Sequence, residues 1–509
     1  MSNALVLNTK KFIASPQQEA FFTWIKSGKG SCVLEAVAGA GKTSTLVKGL
    51  ALMSGSVFFG AYNKKIAEEI RARAASSSAV ISTMHAAGFA AWRRASRFVK
   101  VDGDKCKSIF RAACVRNIQY SKFQTPVLQL VSLAKQNGFG LANFPSMKSM
   151  TSWMSLVDTY DIETFDEATG VDNTSLIVKL ALKTLEASID QDLKTIDFDD
   201  MIYAPLYHGC SFDKYDWVLI DEAQDTNGTR RELALKMMHE TSRMVVVGDS
   251  RQAIYQFQGA SADAMNVIAK AVDAAKMPLT TTFRCPKAVV RLAHTWVSHI
   301  QAADTAPEGI VRKAEIKDLK SEVQPGDAIL CRLNAPLLKY VYQLIGAGIP
   351  AKIEGREIGN GIKALAGRWK VKSLDALVEK AEAFQEREIQ KFRAKDQEAK
   401  ATAVIDKVSC LMVMIDRVRS IDPGTKDPVK AIITEVDKIF SDDENAKVVL
   451  LSSIHRSKGR EWKKVVWLQT GQNKRAKRDW QIEAEANLNY VACTRSMHEL
   501  VLIDISSEK

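Results

Sequence analysis

The chain has 509 residues, 46% of them hydrophobic, and its 71 Lys and Arg against 59 Asp and Glu leave a formal net charge of +12. That length exceeds what one core serves and predicts three or four domains or subdomains; the positive balance favours nucleic acid or an acidic membrane surface as partner, with plain solvation by lysine as the alternative. The eight cysteines are scattered without a C-x-x-C pair, so neither a zinc site nor a disulfide framework is signalled, and no apolar run reaches the roughly 18 residues of a membrane span. A reducing cytosol fits this composition, with nucleoid association if the source is bacterial, and no export signal is expected.

In chain order, "SCVLEAV" (31–37) is an apolar, partly β-branched run that reads as a buried strand, and "KTSTLVKGLALM" (42–53) has its apolar residues at helical spacing. Between them lie Ala38, Gly39, Ala40 and Gly41. A loop of such small residues lets consecutive backbone N–H groups close around phosphate oxygens, and the helix that follows adds its positive end. Lys42 can then reach the β- and γ-phosphates and the Thr43 hydroxyl can bind magnesium. The strict pattern G-x-x-x-x-G-K-[ST] has glycine where this chain has Ala36, and a small-residue turn before a helix is the competing reading.

Further on, "YDWVLIDEAQDTN" (215–227) presents an apolar strand, Trp217 to Ile220, that ends in Asp221 and Glu222. Asp221 can hold magnesium through water and Glu222 can polarise the water that attacks a γ-phosphate; a solvated acidic turn is the alternative. The run "MVVVGD" (244–249) reads as another strand. From residue 374, Leu374, Leu377, Ala381 and Phe384, then Val404, Val408, Leu411 and Ile415, follow three-to-four spacing, which predicts a helical hairpin whose charged crest is a solvated face rather than a DNA grip. "IDPGTKDP" (421–428) breaks it.

Together with "SPQQEAFF", "AYNKKIAEE", "STMHAAGF", "DFDDMI", "VVVGDSRQAIYQFQGA", "TTFRCP", "SSIHRSKGREW" and "NYVACTRSMHELVLI", in this order along the chain, these segments resemble the motif set of UvrD/Rep-like superfamily 1 DNA helicases. The resemblance implies an α/β fold: two RecA-like, doubly wound parallel-sheet motor domains, at 1–90 with 195–277 and at 278–366 with 446–509, carrying mainly helical inserts at 91–194 and 367–445. The second insert, of about 80 residues, is shorter than in the best-known members.

By the same resemblance Gln17 matches the adenine-reading glutamine, Phe283 an aromatic that stacks on adenine, and Glu461 a glutamate close to the nucleotide. Gln252 matches a γ-phosphate sensor, and Arg284 and Arg495 match two arginines that reach the γ-phosphate; a surface ion pair is the other reading of Arg495. Asn63, Thr83, His85, Tyr255, Phe257 and His455 fall in segments that touch single-stranded DNA. Phe257 could equally be core, and His85 a core or helix-cap histidine. Ser44 stands where the family often has an arginine beside adenine, and Gln258 where it usually has arginine.

The resemblance implies an ATP- and Mg²⁺-dependent helicase that moves 3′→5′ on single-stranded DNA and opens tailed duplexes. RNA is the less favoured strand, no membrane is expected, and protein partners stay undefined. The alternatives are a translocase that strips proteins with little unwinding, and a nucleotide-gated DNA-binding subunit of a repair or defence complex.

Overall fold

The computed structural model describes residues 13–74, 78–96, 99–115, 117–160, 162–166, 170–190, 194–254, 264–369, 371–394, 398–439, 447–471 and 479–506. The chain divides into two compact units, Met1–Thr281 and Thr282–Lys509.

The first unit is built on strands β1 (Cys32–Ala36), β2 (Val57–Ala61), β3 (Val80–Thr83), β4 (Tyr215–Ile220), β5 (Met238–Gly248) and β6 (Ala275–Leu279). They lie in the order β6-β1-β5-β4-β2-β3, and every pairing is parallel. Parallel strands need crossovers, so helices cover the faces and the strands read as near-continuous apolar runs; Val57 to Ala61 are all buried. Helix α1 (Pro16–Ser27) begins in a capping box, Ser15 with Gln18, and carries Pro16 in its first turn, where no N–H is needed. Helices α2 (Lys42–Leu50), α3 (Lys64–Arg73) and α4 (Met84–Ala95) each follow a strand directly, so their N-termini gather at the carboxyl ends of β1, β2 and β3.

Between α4 and β4 the chain makes a mainly helical insert. Helices Lys105–Cys114, Gln124–Gln136, Met150–Tyr160 and Thr174–Ser188 surround their own core, in which Phe110, Leu130, Trp153 and Ile177 are buried. A charge cluster joins this insert to helix Asp200–Tyr207. Lys105 Nζ lies 2.7 Å from Asp200 Oδ2, and Lys135 Nζ lies 2.7 Å from both Asp197 Oδ2 and Asp200 Oδ1. The two aspartates also cap each other's backbone N–H groups. Burial lowers the pKa of Lys135, but the charges of Asp200 and Asp197 outweigh it and hold the ammonium above its usual range. The segment "DFDDMI" thus fastens insert to sheet.

The second unit has strands β7 (Ile310–Ala314), β8 (Ala328–Cys331), β9 (Ala351–Ile353), β10 (Val449–Ser453), β11 (Trp462–Gln469) and β12 (Ser496–Asp504). Their order is β7-β12-β11-β8-β10-β9, again parallel throughout. Both expected RecA-like sheets are therefore present. The expected hairpin is formed by helices Leu374–Ala394 and Glu398–Ile421, and the prolines that end it lead into a third helix, Pro428–Ile439. Leu377, Phe384, Leu411 and Ile415 share one hydrophobic cluster with Ile329, Val449 and Val466 of the sheet, so these helices are part of the second unit's core.

Removing one member of a buried charge cluster leaves its partners uncompensated, which costs about 3–5 kcal/mol. Lys135→Met should therefore destabilise the first unit by that order in denaturant unfolding. Lys135→Met with Asp200→Asn should recover part of the loss, and an undiminished parent stability in the single variant would show the cluster to be dispensable.

Candidate nucleotide site

The loop between β1 and α2 takes its shape from two glycines. Gly39 (φ 74°) and Gly41 (φ 76°) lie in the left-handed region that side chains disfavour, while Ala38 and Ala40 between and before them are buried. Gly41 offers no side chain to cap α2, so the first N–H groups of that helix are directed to whatever the loop surrounds. Behind the loop stands a residue that the motif pattern did not single out. Gln18 donates to Thr45 Oγ1 at 2.7 Å, and that hydroxyl donates to Gly41 O at 2.9 Å. The capping box around Ser15 was the available signal for Gln18. The neighbouring Gln17 is clipped to Thr280, donating to its hydroxyl and accepting its N–H, both at 2.7 Å. Ser44, where the family often has arginine, accepts a hydrogen bond at 2.6 Å from the guanidinium of Arg73 on α3.

The strand ends bring the acids to this loop. Lys42 Nζ lies 3.0 Å from the Glu222 carboxylate, and the Thr43 hydroxyl donates to Asp221 Oδ2 at 3.0 Å. Glu222 has φ 51° and ψ 44°, a left-handed conformation unusual for a residue with a side chain. Its own N–H donates to Asp221 Oδ1 at 2.9 Å. Asp249, just past β5, is a third acid at this place and, like Asp221, is buried; its carboxylate accepts from Gln252 Nε2 at 2.6 Å. In the sequence Gln252 carries a family match, whereas Asp249 and Gln224 have only their positions beside it and beside the acidic pair to mark them.

Burial and the adjacent Glu222 charge push the Asp221 carboxyl up to about 6, against the pull of Lys42 and the Thr43 hydrogen bond. Burial likewise pushes Asp249 up to about 6, with Lys42 opposing. The ammonium of Lys42 is disfavoured by burial, but Glu222, Asp249 and Asp221 outweigh that and raise its pKa. Negative charge is in excess here, which suits a site that receives a divalent cation. Hard oxygen donors on Thr43 and Asp221 fit Mg²⁺, which keeps most of its shell for water and phosphate. Among the described residues, no group of three or more His, Cys, Asp or Glu side chains is placed to hold a metal by itself.

In the second unit Arg284 and Glu461 form an ion pair with each other. Arg495 is fully buried, not on the surface; its guanidinium donates to Val491 O at 3.0 Å, Arg460 O at 3.1 Å and Thr494 Oγ1 at 3.2 Å. Burial thus removes the surface-ion-pair reading. Phe283 is 48% exposed and offers a flat face.

Of the DNA candidates, Asn63 caps α3 by accepting the Ile66 N–H at 2.9 Å, and Thr83 caps α4 by accepting the Ala86 N–H at 3.2 Å. His85 follows in the first turn of α4, and with Tyr62, Asp225 and Arg230 it lines a cavity of about 530 Å³. Burial and the Arg230 charge push its pKa down to about 4, so it is neutral at pH 7. Burial and Arg332 do the same to His455. Tyr255, Phe257 and Gln258 lie outside the described residues. No helix among the described residues is long and apolar enough to cross a membrane.

Residues 15–273 match the model of the UvrD/REP helicase N-terminal domain, and residues 210–507 match that of the UvrD-like helicase C-terminal domain. Similar curated proteins include the F-box DNA helicase protein 1 of Schizosaccharomyces pombe, 24% identical over 58% of this chain and 34% of its own length. The ATP-dependent DNA helicase PcrA of Staphylococcus epidermidis is 24% identical over 60% of this chain and 42% of its own. The ATP-dependent DNA helicase Rep of Buchnera aphidicola is 22% identical over 47% and 38%. The chain thus aligns with well under half of each of these relatives.

The pKa of Asp221 carries a stability prediction. With a folded value near 6 and an ordinary value of 3.8, the folded chain holds a disfavoured anion above pH 6, whereas below about pH 4 the carboxyl is neutral in folded and unfolded chains alike. Asp221→Asn should therefore raise Tm above pH 6 in the absence of nucleotide and metal, with the gain vanishing towards pH 4. Thermal unfolding across this range checks it; a lower Tm at pH 8 would mean that the ionised carboxylate stabilises the fold.

Proposed function

The chain belongs to the UvrD/REP helicase family, and on that premise we propose that it is an ATP-dependent motor that travels 3′→5′ on single-stranded DNA and separates duplex ahead of it. The observation that carries this reading is the convergence of Lys42, Thr43, Asp221 and Glu222 beside a loop shaped by Gly39 and Gly41. Lys42 transfers from Glu222 to the β- and γ-phosphates of ATP, and Glu222, released from the lysine, orients and polarises the attacking water. Thr43 and Asp221 would hold Mg²⁺, which when bound neutralises phosphate charge. Gln252 senses the γ-phosphate, and Arg284 and Arg495 offset the charge that builds on it in the transition state. Gln17 and Phe283 bind adenine, and Glu461 is the glutamate close to the nucleotide.

Asn63, Thr83, His85, His455, Tyr255 and Phe257 are the proposed DNA contacts. Two of them sit at helix N-termini, where N–H groups and the helix dipole favour a phosphate. With His85 and His455 neutral, their contribution is hydrogen bonding rather than charge. An aromatic under a base adds roughly 1–3 kcal/mol. One observation favours a second reading, a translocase that displaces proteins with little unwinding: the helices of 374–439 pack their apolar faces into the core of the second sheet instead of enclosing a core of their own.

Stopped-flow unwinding of 3′-tailed, 5′-tailed and blunt duplexes tests the reading. Opening of the 3′-tailed substrate alone is expected; opening of the 5′-tailed one would reverse the polarity, and ATP-driven travel without opening would favour the translocase. Lys42→Ala should abolish hydrolysis and spare single-strand binding, and Glu222→Gln should keep ATP binding but lose turnover. Parent-level hydrolysis in Lys42→Ala would remove the loop's assignment.

A further prediction concerns the arginines. Arg284→Ala and Arg495→Ala should each slow hydrolysis by up to the roughly 10³–10⁵ that such cations supply, with little loss of ATP affinity. Because Arg495 is buried, its variant needs a thermal-unfolding control, and near-parent turnover in both variants would exclude them from the chemistry.

A further inference from the structure

We propose that Gln224 is a positioning residue for Glu222, gripping the carboxylate with one end of its amide and the loop after β5 with the other. The inference rests on the reading of Glu222 as the water-orienting group. Gln224 is 2% exposed and sits in the tight turn Ala223–Asp225 that follows the acidic pair. Its Nε2 donates to Glu222 Oε2, the oxygen that also accepts from Lys42. Its Oε1 accepts the Asp249 N–H at 3.1 Å. An amide suits this place because it donates at one end and accepts at the other. Room for it is made by Gly248, where an added Cβ would come within 2.4 Å of Gln224 Oε1.

The arrangement answers why Glu222 keeps a left-handed backbone. Such a conformation persists only where the surroundings over-determine it, and here the side chain is fixed by the amide while the N–H is fixed by Asp221. When Lys42 leaves for phosphate, the amide bond keeps the carboxylate aimed. The same amide ties Glu222 to Asp249, whose carboxylate holds Gln252. A shift of the 249–252 segment therefore reaches the catalytic carboxylate through two hydrogen bonds.

The test compares the parent with Q224M, Q224E, E222Q and E222Q/Q224M, measuring kcat and KM for ATP with and without saturating single-stranded DNA, equilibrium binding of a fluorescent ATP analogue, and thermal unfolding. Methionine keeps the length without the polar ends, and glutamate keeps the shape but sets a second carboxylate against Glu222. A displacement of order 1 Å at a reacting group costs about a hundredfold, so Q224M should lose about that in kcat with nucleotide affinity unchanged. Q224E should fall lower still, both should lose most DNA stimulation, and E222Q/Q224M should be no slower than E222Q. Parent-like kcat in Q224E would overturn the proposal, since a packing role needs only the shape; this near-isosteric variant decides the matter even if Q224M folds poorly. Loss of turnover in E222Q beside parent-like Q224E removes only the positioning role, whereas parent-like turnover in E222Q removes the reading of Glu222 itself.

Discussion

One buried ammonium held among carboxylates is the interaction on which the candidate site depends. Lys42 is in direct contact with Glu222, and the charges of Asp249 and Asp221 act on it as well. At low effective dielectric such attractions are strong, but they must offset the cost of taking Lys42, Asp221 and Asp249, and part of Glu222, out of water. The balance is visible in the acids: Asp221 and Asp249 stay harder to ionise than ordinary carboxyls although a lysine is beside them. A site with this surplus of buried negative charge is less stable without a cation than with one. Under the proposed function, ATP with magnesium would bring both a cation for the acids and a polyanion for the lysine, and binding would redistribute charge that is held here at a cost.

The fold supplies this arrangement through strand order. Parallel β1, β4 and β5 are neighbours, so their carboxyl ends deliver Lys42 with its loop, Asp221 with Glu222, and Asp249 to one edge of the sheet. Residues 178 to 180 apart in sequence thereby come within 3.0 Å. Ligand sites at the carboxyl ends of open parallel sheets follow the same logic. The insert between α4 and β4 is fastened through Lys105, Lys135, Asp197 and Asp200, and its Ser132, Gln136 and Tyr160 line the cavity that Tyr62, His85 and Asp225 form past the ends of β2, β3 and β4.

Much of the fold was legible in the sequence. Apolar runs such as "SCVLEAV" and "MVVVGD" mark buried parallel strands, and the three-to-four spacing from Leu374 to Ile415 marks the hairpin, because burial is continuous along the strands and periodic along the helices. Contacts made by polar side chains over long separations were not. Nothing in a pattern of types shows that Gln18 braces Gly41 through Thr45, that Arg73 reaches Ser44, or that Arg495 is buried against backbone carbonyls. Asn63 and Thr83 were read as DNA contacts through the family resemblance, whereas the structure shows the local reason for those residue types, the capping of α3 and α4. A cap and a phosphate contact draw on the same N–H groups, so both uses can fall at one helix start.

The central claim is that Lys42 is shared between two partners, Glu222 without nucleotide and phosphate with it. A crystal structure with a non-hydrolysable ATP analogue and Mg²⁺ tests this directly. The account predicts Lys42 Nζ on phosphate oxygens and away from the Glu222 carboxylate, with Thr43 and Asp221 on the metal side. A nucleotide bound while Lys42 remains at 3.0 Å from Glu222 would contradict it.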